Sequence, residues 1–179
     1  MKSNKKLIII SVVSFFLISI LGTLFHFAYE FLGGNVILGL IFAVNESVWE
    51  HLKILVMPMF ICAIYEYILL KENRKNFFCA LAFKIVISML FVIGVFYSYT
   101  AILGKNVAVI DISTFYIAVF IAQLVWHNLI KNCQNLIIYR NISIVILIAI
   151  LTLFLVFTYL PPKFELFKDN LNNSYGILR

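Results

Sequence analysis

Five long apolar runs, separated by short polar clusters, organise the chain: residues 7–28, 52–70, 77–99, 112–130 and 142–160. Each is close to the ~20 apolar residues that a helix needs to cross a hydrocarbon core. The pattern predicts an all-α polytopic transmembrane bundle of about five spans, forming a single membrane domain over 1–179 with an extramembrane tail from 161. A sixth run, "NVILGLIFAV" from Asn35 to Val44, is too short to span alone and follows Gly33-Gly34. It suits a short re-entrant or interfacial helix, which a membrane tolerates only where protein or water covers its backbone.

Composition supports this class. Apolar residues make up 64% of the chain and charged residues 12%, with a mean hydropathy of +1.05, far from the soluble average of about one quarter charged. The net charge of +6 does not point to nucleic acid, because the basic residues sit at the ends of apolar runs, where they orient helices. Cys62, Cys79 and Cys133 have neither disulfide nor zinc-clip spacing and read as ordinary apolar positions. The run after "MKSNKK" exceeds the ~7–15 residues of a signal-peptide h-region, so an uncleaved first span is expected.

Charge also selects a topology. Five spans place Lys2, Lys5, Lys6, Lys71, Arg74, Lys75, Lys131 and Arg140 on the cytoplasmic side and leave Lys53 and Lys105 outside. A six-span arrangement would instead put "KENRK" outside. The expectation is a multi-pass protein of a bacterial cell membrane with a cytoplasmic N-terminus and an external C-terminus. Glu66 and Lys84 lie at similar depths on spans two and three and are expected either to pair or to snorkel separately to the headgroups. Pro58 should kink span two and free a carbonyl.

The most concentrated polar stretch is "NESVWEHLK", Asn45 to Lys53. Ser47 with Glu50 three residues later forms a capping box, and Asn45 is an alternative N-cap. Glu50 with Lys53 suits an interfacial ion pair and Trp49 a headgroup anchor. Those roles leave His51 unexplained. In the five-span topology, His26 and Glu30 (i,i+4 on span one), Asp111 and the C-terminal tail reach the same membrane face as this stretch. Boundary clusters of this kind are candidate functional sites.

Zinc-type chemistry is one reading. His26, His51 and Glu50 are the candidate ligands of a divalent metal, although no HExxH motif is present. His51, Glu50 and Ser47 would then be the candidate catalytic residues of a membrane-embedded hydrolase. Ser47 and His51 also resemble the Ser-xxx-His element of the alkaline ceramidase and adiponectin-receptor class of membrane hydrolases. That likeness covers two residues, and the paired late histidine of those families has only His127 as a counterpart. At 1.5 Å per residue, His127 should lie roughly 15–20 Å deeper than His51, which excludes it from the site.

The segments "HFAYEFLGGN", "NESVWEHLK", "FYSYTAILG", "DISTF" and "FTYLPPKFELFKDNLNNSYGI" together resemble a family of small bacterial integral membrane proteins of unknown function. The resemblance runs from His26 to Ile177. It implies a shared membrane fold and marks His26, Glu30, Asn45, Glu46, Ser47, Glu50, His51, Asp111, Asp169 and Tyr175 as candidate ligand-binding positions, without supplying a reaction. The apolar "FELF" after Pro161-Pro162 is expected to fold the tail back over the polar cluster, bringing Asp169 and Tyr175 near it. The leading expectation is an outward-facing polar pocket that binds or transports a small ligand, ion or lipid headgroup from the bilayer, with transport requiring a homodimer. The alternative is the metal-dependent hydrolase.

Overall fold

A computed structural model describes residues 2–132, 137–169 and 171–177. Cys133, Asn170, Leu178 and Arg179 lie outside the described residues. Five α-helices carry the chain: α1 (Lys2–Phe31), α2 (Val48–Leu70), α3 (Phe77–Leu103), α4 (Ala108–Asn132) and α5 (Ile137–Tyr159). All five contain segments long and apolar enough to cross a membrane, and the protein is a multi-pass membrane protein. The helices run beyond the apolar runs that mark them. α2 starts at Val48, so Glu50, His51 and Lys53 lie on its first turns, as a cap at Ser47 requires, and Arg140 lies within α5 rather than in a loop. Backbone hydrogen bonding propagates past the point where hydrocarbon ends, so apolar length underestimates helix length.

Successive helices alternate in direction, as their cross-contacts show. Ser14 on α1 reaches Glu66 near the end of α2, and Thr23 on α1 meets Tyr116 on α4. Lys53 at the start of α2 meets Thr158 at the end of α5. One end of the bundle therefore gathers the ends of α1, α3 and α5, the starts of α2 and α4, the 33–47 connection and the tail.

α2 is the most buried span, and its packing explains two sequence features. Glu66 and Lys84 pair at 2.8 Å with both side chains fully buried, so pairing prevails over snorkelling. Ser14 Oγ donates to Glu66 Oε1 at 2.7 Å and also hydrogen-bonds Tyr65, satisfying the carboxylate further. Pro58 has no N–H for the carbonyl of Ile54 four residues earlier. Gly22 of α1 packs directly over that carbonyl: a Cβ there would stand 2.7 Å from Ile54 O and 2.5 Å from Phe115 Cζ. The missing side chain lets α1 approach α2 where the helix ladder is broken.

The short apolar run does not span. After Gly33 and Gly34, both at positive φ (86° and 65°), residues Val36–Leu40 form one 3₁₀ turn capped by Asn35, whose Oδ1 accepts from Ile37 N at 2.9 Å. Lys53 Nζ donates to the carbonyls of Gly39 (2.8 Å) and Phe42 (3.3 Å), which supplies the backbone cover a non-helical segment needs beside a membrane. At the opposite end, Arg74 donates to the carbonyls of Tyr67 and Ile68 and closes the α2 C-terminus.

The tail is docked. A 3₁₀ turn at Glu165–Phe167 leads into a small hairpin, β1 (Lys168–Asp169) antiparallel to β2 (Ser174–Tyr175). Phe167 is buried and packs its ring against Trp49 and Phe157. Asn45 Nδ2 donates to Gly176 O at 2.8 Å, so tail and polar stretch hold each other.

Candidate functional site

The stretch Asn45–Lys53 separates into two chemically distinct faces because the chain changes conformation within it. Asn45–Ser47 are non-helical; Ser47, in extended backbone, is the N-cap of α2, and its Oγ accepts from Glu50 N at 3.3 Å. The reciprocal half of the expected capping box is not made. Ser47 N donates instead to Asn45 Oδ1 (2.9 Å), and the Glu50 carboxylate accepts from Val44 N (3.0 Å).

Glu50 and Lys53 form the inner face. Their ion pair is 2.6 Å long and buried, not interfacial as the sequence suggests. Lys53 Nζ also donates to Thr158 Oγ1 at 2.7 Å, and Thr158 lies 3.2 Å from Glu50 Oε1. Burying two charges is compensated only where hydrogen bonds satisfy them, as they do here. This cluster fastens α2, α5 and the 3₁₀ turn together. Glu50 therefore faces away from the histidines, and the carboxylate beside them is a different one.

That carboxylate is Glu46. It precedes the helix, so its direction is set by the turn rather than by helical periodicity, and it lies between the two imidazoles. His51 Nε2 is 3.4 Å from Glu46 Oε2, and His26 Nε2 is 4.0 Å from Glu46 Oε1. The rings of His26 and His51 are 5.2 Å apart, centre to centre. His51 Nδ1 lies 2.9 Å from Ser47 O. A carbonyl only accepts, so Nδ1 carries the proton, and a neutral His51 presents a lone pair at Nε2.

These three residues form one wall of a cavity of about 440 Å³ between α1, α2, α3 and α4. Asp111, Thr114 and Asn106 add polar groups, while Phe27, Val92, Phe96, Ile112 and Phe115 supply apolar surface. Asp111 is held by a 2.5 Å hydrogen bond from the Tyr99 hydroxyl, whose oxygen in turn accepts from Val107 N. Leu171 of the tail completes the lining.

The other candidates do not line this cavity. Glu30 is exposed beyond His26. Ser47 is buried, with its hydroxyl engaged in the cap, and Asn45 ties the tail. Asp169 is buried in its own hairpin, accepting from Leu171 N (2.8 Å) and Asn172 N (3.3 Å), and Tyr175 packs against the core. His127 lies about 24 Å along α4 from Asp111, beside Ser11. Sequence reasoning placed Tyr99 at this end of the bundle with Tyr97 and Thr100 but missed Thr158, Thr23 and Tyr116. A lysine one turn into a span demands acceptors, and that demand is the signal that could have found Thr158.

Residues 1–177 match the family described as "Family of unknown function (DUF6512)", and the chain belongs to that family. No curated protein and no solved structure matches it significantly.

Proposed function

We propose that this protein binds an amphiphile from the bilayer, with the polar group at His26, Glu46 and His51 and the apolar chain along α1 and α4. One observation carries the reading: the cavity shares Thr23 and Tyr116 with a second groove of about 390 Å³, lined otherwise by Phe15, Phe16, Ser19, Ile20 and Leu24. A polar site thus adjoins an apolar trough on the exposed side of α1, with the Thr23–Tyr116 hydrogen bond between the two. From Phe15 to Leu24 the trough runs about 14 Å along α1, a length that suits an acyl chain. The charge pattern favours an outward-facing cavity with the N-terminus in the cytoplasm, which reporter fusions at residues 71–75 and at the C-terminus would test. Five spans without an internal repeat suit binding better than alternating access, unless two copies assemble.

Photo-crosslinking with a diazirine-labelled single-chain lipid tests the proposal. The expected result is saturable labelling of peptides containing residues 15–24, abolished by Ile20→Trp, which fills the groove from an exposed position. Uniform, unsaturable labelling of all five helices would refute it.

A membrane-embedded hydrolase is the second reading. It is favoured by the tautomer of His51, which turns a basic nitrogen toward the cavity beside Glu46. With Ser47 engaged as a cap, the nucleophile would be water. Lipid-ester turnover that His51→Ala abolishes without loss of fold would favour this reading over binding alone.

A further inference from the structure

We propose that His26, Glu46 and His51 form a mononuclear transition-metal site with one coordination position open to the cavity. The inference concerns the polar end of the same cavity and rests on reading it as a binding site.

Distance is the first argument. One ligand atom from each of the three residues can be chosen so that all lie within 4.8 Å of one another. Metal–nitrogen and metal–oxygen bonds of about 2.0–2.1 Å in a tetrahedral sphere place ligand atoms about 3.4 Å apart. The His51–Glu46 separation of 3.4 Å already has that value, and the His26–Glu46 separation of 4.0 Å needs only a small side-chain rotation.

Hydrogen bonding is the second. His51 donates its Nδ1 proton to Ser47 O, an outer hydrogen bond of the kind that fixes metal-binding histidines with Nε2 toward the ion. His51 Nε2 and the Glu46 carboxylate are thereby turned toward one another, 3.4 Å apart. His26 Nδ1 is buried with no hydrogen-bond partner among the described residues, so no bond fixes its tautomer. A single divalent ion between all three groups neutralises the carboxylate and uses both lone pairs.

The donor set defines the class of ion. Two imidazoles and one carboxylate suit zinc, iron(II), cobalt(II) or nickel(II) rather than magnesium or calcium, which prefer oxygen. Structural zinc sites close their sphere with four protein ligands, whereas three ligands beside a cavity leave room for water or for an anionic oxygen of a bound headgroup. The site is also reachable, since the Glu46 side chain is 43% exposed and those of the two histidines 28% and 32%.

The test uses the full chain, purified in mild detergent without a polyhistidine tag, stripped with chelator and titrated with cobalt(II) while its visible absorption is recorded, then with zinc in competition. The expected result is one equivalent per chain with a tetrahedral cobalt spectrum. Glu46→Gln and His51→Ala should each weaken binding at least about tenfold, since loss of a ligand costs no less than loss of an outer-shell partner. Glu165→Gln, an exposed carboxylate of the tail paired only with Lys168 among the described ion pairs, should bind as wild type does. Glu46 is exposed, so its substitution leaves the fold intact, and thermal unfolding checks this directly. Absence of a stoichiometric site in the wild type, or equal affinity in Glu46→Gln and His51→Ala, would overturn the proposal. Lipid labelling is read separately: its loss with cobalt binding retained would reject the amphiphile alone.

Discussion

Glu46 and Glu50, four residues apart, face opposite sides of the same helix start. Glu46 stands 3.4 Å from His51 Nε2 at an open cavity, whereas Glu50 holds Lys53 at 2.6 Å inside the bundle. The boundary between cap and helix separates them. Glu46 lies before the N-cap, and Glu50 is in the first turn, on the face that packs against α5. One short polar stretch thus provides both a structural fastening and a candidate chemical site.

Removing only one partner of the fastening should be severe. Lys53→Met leaves the Glu50 carboxylate buried beside Thr158 without its cation and also uncovers the carbonyls of Gly39 and Phe42. The expected cost is about 3–5 kcal/mol. Membrane proteins in detergent often unfold irreversibly, so the check is the inactivation rate at fixed temperature, compared with Glu46→Gln, which should unfold at the wild-type rate.

The Glu66–Lys84 pair should behave as a cycle. Lys84→Met alone strands a carboxylate that is otherwise fully buried and destabilises by about 3–5 kcal/mol, while adding Glu66→Leu should recover most of the loss, because paired apolar replacements are often neutral. Unfolding of the two single variants and the double variant measures the coupling. Additive losses would mean the pair does not act as a unit.

Gly22→Ala should destabilise the α1–α2 contact, although alanine is the better helix former. Its Cβ would meet Ile54 O and Phe115 at distances no packed carbon adopts, and overpacking of this kind costs about 1–3 kcal/mol. Gly94, where a Cβ meets nothing within 4 Å, is the matched control: Gly94→Ala should leave stability unchanged or raise it slightly. Thermal unfolding of both variants decides.

Phe167→Ala should loosen the tail. Phe167 fills the space against Trp49 and Phe157, and truncating a buried phenylalanine costs about 3–5 kcal/mol. The measurement is limited proteolysis within residues 161–177 together with tryptophan emission. Faster cleavage and a red shift from Trp49 are expected, with the fully buried Trp126 contributing an unchanged background.

Ser47→Ala separates capping from binding. Loss of the side-chain cap should cost about 1 kcal/mol, yet cobalt affinity should stay within about twofold of wild type, because His51 Nδ1 donates to the backbone carbonyl of residue 47 and not to the hydroxyl. A large loss of affinity with stability unchanged would contradict this division of roles.

The sequence by itself favoured five spans over six, with Asn35–Val44 too short to cross, and offered Ser47 as an N-cap beside Asn45. These follow from local rules: hydrocarbon thickness sets span length, and a cap needs only its own next turn. It also brought Glu66 and Lys84 to one depth, and burial favoured their pairing over snorkelling. The five-span reading gathered His26, the Asn45–Lys53 stretch and Asp111 at one end of the bundle, because successive helices alternate in direction; six spans would have separated His26 from the rest. The tertiary structure decided which groups meet. Glu46 rather than Glu50 faces the histidines because the chain leaves helical periodicity at Ser47, and a spacing rule cannot say where a pre-helical side chain points. Thr158 became the partner of Lys53 and Glu50, and Asp169 closed its own turn instead of reaching the cavity, because contacts between residues more than a hundred positions apart, or folded back through a hairpin, depend on helix packing rather than on chain order.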